Sequence, residues 1–200
     1  YRPKRRTRAM IAREKGLEPL ADLILLQEVR EPLEKTASCY VSEEKGVESP
    51  EAAIQGAMDI LAERIADHAG CRTWIRNITM NKGLLQSGAK DEKVKSVYET
   101  YYNYEEPVKK AAGHRILALN RGESEKILTV KVIPPVDQIM GYLEKQVIKK
   151  DNPYTGPVLK AAVKDSYDRL IGPSVEREIR SEITEKAEAV SYTHLTLPTI

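Results

Sequence analysis

The chain has 200 residues, 41% of them hydrophobic and 31% charged. That balance builds a buried core and excludes the polar, low-aliphatic composition of disordered chains. No apolar run reaches the roughly 18 residues of a membrane-crossing helix, so no membrane partner is expected. Two cysteines, Cys39 and Cys71, are too few for a disulfide scaffold and fit a reducing, intracellular protein. The net charge of +2 hides an asymmetry: residues 1–15 carry seven Lys or Arg against Glu14 alone, and the remainder is mildly acidic.

In chain order, the first feature is the basic run Arg2, Lys4, Arg5, Arg6 and Arg8. A compact cluster of this kind steers a protein toward phosphates, or it pairs with acids on a neighbouring surface. Thr7 is placed to N-cap a helix that runs through Lys15 and stops at Gly16. A second helix, with Leu17, Leu20, Leu23 and Ile24 on one face, extends to about Val29. Two short helices joined across one glycine resemble a helix-turn-helix, an arrangement that is also common as a purely structural pair. Ser49-Pro50-Glu51 is a helix start: a capping hydroxyl, proline at the first helical position, then an acid. Ile54, Met58, Leu61 and Ile65 then form a buried stripe, and after Gly70 a further helix carries Trp74, Ile75 and Ile78 into the core.

The middle of the chain is more mixed. Leu84-Leu85-Gln86 reads as a short strand, residues 97–112 as a Tyr-rich helix broken by Pro107, and 114–120 as a short helix ended by Gly122. Residues 127–133 are dense in β-branched side chains and stop at Pro134-Pro135, which predicts a strand pairing with residues 84–90 as a hairpin. Helices follow at 136–150 and 157–189, with a break at Gly172-Pro173. The expected fold is therefore mainly α, multi-helical, with a helix-turn-helix-like N-terminal part and one small β-hairpin. The expected segments are 1–48, bearing the basic edge, and 49–189, bearing the hairpin. From Val190 the chain loses all charge, and residues 190–200 read as the in-frame translation of a sequencing-library adapter, which sets them and His194 aside.

Constellations that could carry chemistry are weak. Gly83 to Lys90 misses a phosphate-binding loop, because Ala89 displaces the lysine and Asp91 stands where a hydroxyl is needed. His68 and Cys71 have ligand-like spacing but lack enough companions for a structural zinc site. Asp165 and Asp168 lie a turn apart on a charged face. His114 opens an apolar helix as a cap or a core imidazole, without a visible catalytic partner. Neither a catalytic residue nor a cofactor or metal site is expected.

Two blocks carry a resemblance. One is the basic start leading into Ala12-Arg13-Glu14-Lys15-Gly16-Leu17-Glu18-Pro19-Leu20-Ala21-Asp22. The other is Tyr102-Asn103-Tyr104-Glu105-Glu106-Pro107 followed by His114-Arg115-Ile116-Leu117-Ala118-Leu119-Asn120-Arg121-Gly122-Glu123. Together they resemble the family of the bacterial RNA-binding transcription accessory protein Tex, over residues 1–189. Around Tyr102 the family often has Phe where this chain has Tyr. The resemblance implies the helical region that precedes a ribonuclease-H-like domain, in a cytoplasmic, non-enzymatic protein that binds RNA or DNA and acts with the transcription machinery. Helix-hairpin-helix repeats and an S1 domain follow that region in the family. Arg2, Lys4, Arg5, Arg6 and Arg8 are then candidate phosphate contacts. The alternative is a helical scaffold that docks protein partners and touches no nucleic acid.

Overall fold

The computed structural model describes the backbone of residues 5–196 and the side chains of residues 5–192. Arg2 and Lys4 lie outside the described residues. The chain forms two compact units and passes between them three times. The first holds the residues up to Arg72 together with Asp137–Gly172, and the second holds Thr73–Val136 and the residues from Pro173 onward. The architecture is mainly α with one small antiparallel sheet.

In the first unit the central element is α4 (Pro50–Asp67), started by Ser49, whose Oγ accepts from the Ala52 N–H at 3.1 Å. Against it pack α1 (Arg8–Glu14), α2 (Glu18–Leu26), α3 (Leu33–Ala37) and α8 (Gly156–Asp165). The buried face of α4 is Ala53, Gly56, Ala57, Ile60, Leu61, Ala62, Ile65 and Ala66. The expected stripe is thus displaced: Ile54 and Met58 are only half-buried at its margin. Small residues occupy the centre because neighbouring helices approach closely. A Cβ added at Gly56 would sit 2.3 Å from Leu17 Cδ1. The expected break at Gly70 falls instead at His68, and Gly70 lies in the first turn of α5 (Ala69–Lys82).

Helix α2 ends earlier than expected, at Leu26, because Gln27 adopts a left-handed conformation with φ 60°. Its buried amide supports that conformation. Nε2 donates to the carbonyls of Leu25 (3.1 Å) and Val147 (2.9 Å), and Oε1 accepts from the N–H groups of Lys149 (2.8 Å) and Lys150 (3.0 Å). Gln27 thereby satisfies backbone groups at the end of α7 (Val136–Val147). The predicted break near Gly172-Pro173 is a π-helical turn, Ser166–Ile171, in which the Gly172 N–H bonds the Tyr167 carbonyl. Proline cannot donate and its ring crowds the preceding turn, and the wider turn before it relieves that crowding without ending the helix. Buried Ser166 anchors this turn by donating to the Ala62 carbonyl at 2.7 Å.

The second unit is built on three antiparallel strands in the order β2-β1-β3: β1 (Leu84–Ala89), β2 (Asn103–Pro107) and β3 (Leu128–Ile133). The expected pairing of β1 with β3 is present, with Leu84 opposite Ile133 and Ala89 opposite Leu128. The expected helix over 97–112 is not. Short 3-10 turns at Glu99–Tyr101 and Val108–Lys110 flank β2 instead, so β1 becomes the central strand of a sheet rather than one arm of a hairpin. The Tyr spacing imitated a helical face, but tyrosine favours a pleated surface and Pro107 biases Glu106 to extended backbone. Helix α6 (Gly113–Ser124) runs through Gly122 rather than stopping there. It lies against β3 so closely that a Cβ at Gly122 would come within 2.5 Å of Leu128 Cδ1.

The outer edge of β3 is covered by α9 (Gly172–Thr196), which buries Val175, Ile179, Ile183 and Ala187. Glu176 Oε1 accepts from the Val132 N–H at 3.3 Å, and Arg180 Nη1 donates to the Val130 carbonyl at 3.2 Å. Arg180 also donates to both carboxylate oxygens of Glu123 (2.8 and 3.3 Å) and to Asn120 Oδ1 (2.9 Å). Side chains here do what a fourth strand would otherwise do. On the opposite edge Arg115 makes a forked pair with Glu106 (3.1 and 3.0 Å). Tyr104 also hydrogen-bonds Glu106, and burial, followed by that bond and the carboxylate charge, pushes its phenol up to about 12.

Two outcomes follow from this edge chemistry. Arg180→Ala is expected to destabilise the chain by about 2 kcal/mol in denaturant unfolding, and Arg180→Lys not to restore it, since lysine lacks the fork. For Tyr104 the folded value lies above the unfolded one of about 10. Its share of stability is therefore complete below pH 10 and lost as pH rises toward the folded value of about 12. Tyr104→Phe should lose less stability than the parent over that interval in alkaline unfolding; parallel loss would refute the assignment.

Candidate nucleic-acid interface

The basic edge is fixed to the first unit by one carboxylate on α4. Thr7 caps α1, accepting from the Met10 N–H at 3.1 Å, and its hydroxyl donates to Glu63 Oε2 at 3.0 Å. Glu63 Oε1 meanwhile receives Arg13 Nη1 at 3.0 Å. Both ends of this short helix are therefore held by Glu63, and the underside is packed through buried Ala9 and Ala12. Gly16, at φ +74°, ends it as the sequence predicts, a conformation that a side chain would strain.

Arg5, Arg6 and Arg8 are all exposed. Arg6 forms an exposed ion pair with Glu14. Arg8 lies in the field of Asp59 on α4, a carboxyl whose proton affinity burial raises and which Arg169 and Arg8 oppose. Arg5 and Arg8 form no ion pair among the described residues. The first turn of α1 contains no acid, so positive charge faces the positive end of the helix dipole. Arg5 and Arg8 therefore gain nothing from the helix dipole.

The other sequence candidates resolve as structural parts. His68 caps α5: its Nδ1 accepts the Cys71 N–H at 3.1 Å. The Cys71 thiol is buried and hydrogen-bonded to Tyr142. No group of three or more His, Cys, Asp or Glu residues able to hold a metal occurs among the described residues. Gly83 to Ala89 leads into and forms the central strand rather than a loop around phosphate. Asp165 is forked to Arg169 (3.3 and 3.0 Å) and Asp168 pairs with Lys164 at 2.5 Å. His114 is neither cap nor core; it is exposed in the first turn of α6, behind an Ala112 that makes no side-chain cap.

The two halves of the second block that carries the resemblance meet in the structure. The segment around Tyr104 is β2, the segment around Arg115 is α6, and the Glu106–Arg115 fork joins them. Sequence spacing gives Arg115 no partner of its own. The i-to-j pairing of Glu106 with Arg115 could be seen only once residues 103–107 were known to be a strand.

Comparison with known proteins fits this geometry. The uncharacterized protein YdcI of Bacillus subtilis is 50% identical over 191 residues, covering 94% of this chain and 27% of the relative. The transcriptional accessory protein Tex of Neisseria gonorrhoeae is 32% identical over 203 residues, covering 96% of the chain and 26% of the relative. The human S1 RNA-binding domain-containing protein 1 is 30% identical over 201 residues, covering 92% and 20%. The chain thus spans about a quarter of the length of the bacterial relatives. A family model described as Tex central region-like matches residues 28–193, and the chain belongs to the Tex family through that central region.

Proposed function

We propose that this chain is a non-catalytic part of a cytoplasmic transcription accessory protein, and that its basic edge contacts the phosphate backbone of RNA or DNA. The observation that carries the reading is that the exposed Arg5 and Arg8 form no direct ion pair among the described residues, beside and on a helix that Glu63 fixes in place. Arg2 and Lys4 extend the same run of sequence. Two relatives support the chemistry by name: one is a transcriptional accessory protein, and another carries an S1 RNA-binding domain. Phosphate contacts of this type position a nucleic acid without reading its sequence.

A second reading is a helical scaffold that docks parts of the transcription machinery. The Arg6–Glu14 and Arg13–Glu63 pairs favour it, because they show that part of the basic segment is already matched by the chain's own acids.

Salt dependence separates the two. Each phosphate neutralised contributes about 0.7 (single strand) to 0.9 (duplex) to the slope of log affinity against log salt. Arg5→Ala, Arg6→Ala and Arg8→Ala together, in the full-length protein, should therefore flatten the slope by about 2. Thr7 and Glu63 stay, so circular dichroism should be unchanged. A slope identical to the parent's would assign the segment to the scaffold role.

A further inference from the structure

The first unit contains a cavity of about 320 Å³ where the end of α2 meets α4, α5 and the end of α7. That volume lies at the lower end of the range that holds small organic ligands, roughly 300 Å³ and upward. Its floor is apolar: Leu61 and Ile65 of α4, and Cys71 of α5. Burial pushes the Cys71 thiol up, so it stays protonated and packs as a small hydrophobe, tied to Tyr142. Leu25, 40% exposed, stands at the rim.

The polar lining includes the Gln146 amide and two groups able to donate to an anion, His68 and Lys149. Because His68 Nδ1 accepts the Cys71 N–H, a neutral imidazole must carry its proton on Nε2. Lys149 is exposed and forms no ion pair among the described residues; its Nζ meets only the Lys145 carbonyl, at 3.0 Å. Arg64 also lines the cavity, but Asp22 (2.6 Å) and Glu18 (3.0 Å) already hold its guanidinium. No carboxylate lines the cavity.

The wall is also built rigidly. Gln27, the left-handed residue with four side-chain hydrogen bonds, stands between Leu25 and the Val147–Lys150 segment and locks them together. A non-glycine residue is held in this region only by its surroundings, and such residues gather at ligand clamps.

We infer that this cavity binds a small amphiphilic anion, an aryl or medium-length alkyl body seated on Leu61, Ile65 and Cys71 with a carboxylate or phosphate at His68 and Lys149. The site is independent of the basic edge and would stand if that edge bound nothing. Anilinonaphthalene sulfonate, titrated into the full chain and read by fluorescence, should bind saturably at one site. Leu25→Trp, which fills the mouth from a half-exposed position, should weaken it about tenfold, near 1.4 kcal/mol. His68→Asp combined with Lys149→Ala keeps a capping acceptor at position 68 and removes both donors. It should weaken the sulfonate about tenfold and leave the uncharged analogue N-phenylnaphthylamine unchanged. Octanoate and octyl phosphate then compete for the bound probe, and the stronger competitor identifies the head group. Displacement by neither, binding indifferent to Leu25→Trp, or equal loss of the charged and uncharged probes in the double variant would each overturn the inference.

Discussion

The close approach of helices over the small residues of α4 is the constraint on which the first unit depends. Ala53, Gly56, Ala57 and Ala62 give this helix a surface with almost no side-chain height. The helices that cover it therefore bring their own large groups, Leu17, Leu20 and Ile24 from the α2 region and Leu159 and Val163 from α8. Dispersion contacts at this density leave little room for a larger residue, since a packed interior cannot absorb even a methyl without displacement. The placement of Glu63 follows from the same surface. It emerges beside the buried face, where it can reach Thr7 and Arg13 together, and so an interior packing rule sets the position of the basic edge.

What the sequence made legible was local. Thr7, Gly16 and Ser49-Pro50 announced helix ends because a capping hydroxyl, a left-handed glycine and a first-turn proline each act within four residues. The β-branched run of β3 and its pairing with residues 84–89 were equally readable. Distant partners decided the remainder. Asn103–Pro107 becomes a strand because β1 offers an open edge, and no window of neighbouring residues contains that information. Gln27 ends α2 where a helical pattern would continue, because residues 147–150 need its amide.

The candidate site divides along the same line. Exposure of Arg5, Arg6 and Arg8 was foreseeable from charge alone, while the selective pairing of Arg6 with Glu14 and of Arg13 with Glu63 was not. His68 and Cys71 drew attention as a ligand-like pair; their spacing reflects a capping hydrogen bond, which also needs three residues of separation. The apolar cavity beside them leaves no mark in the sequence, because its walls come from three separate segments, residues 25–27, 61–71 and 146–149.

The Gln27 clasp also has a consequence for the order in which the chain acquires its structure. Its amide waits for Val147, Lys149 and Lys150, and its carbonyl for Asn152, whose side-chain amide donates to it at 3.2 Å. As the polypeptide leaves the ribosome, residues 73–136 of the second unit must emerge before the first unit can be closed. Until then the face of α4 that α8 covers, and the Gln27 amide, lack their final partners. Contacts this far apart in sequence close slowly, so the first unit completes its packing only after the whole of 73–136 has been made.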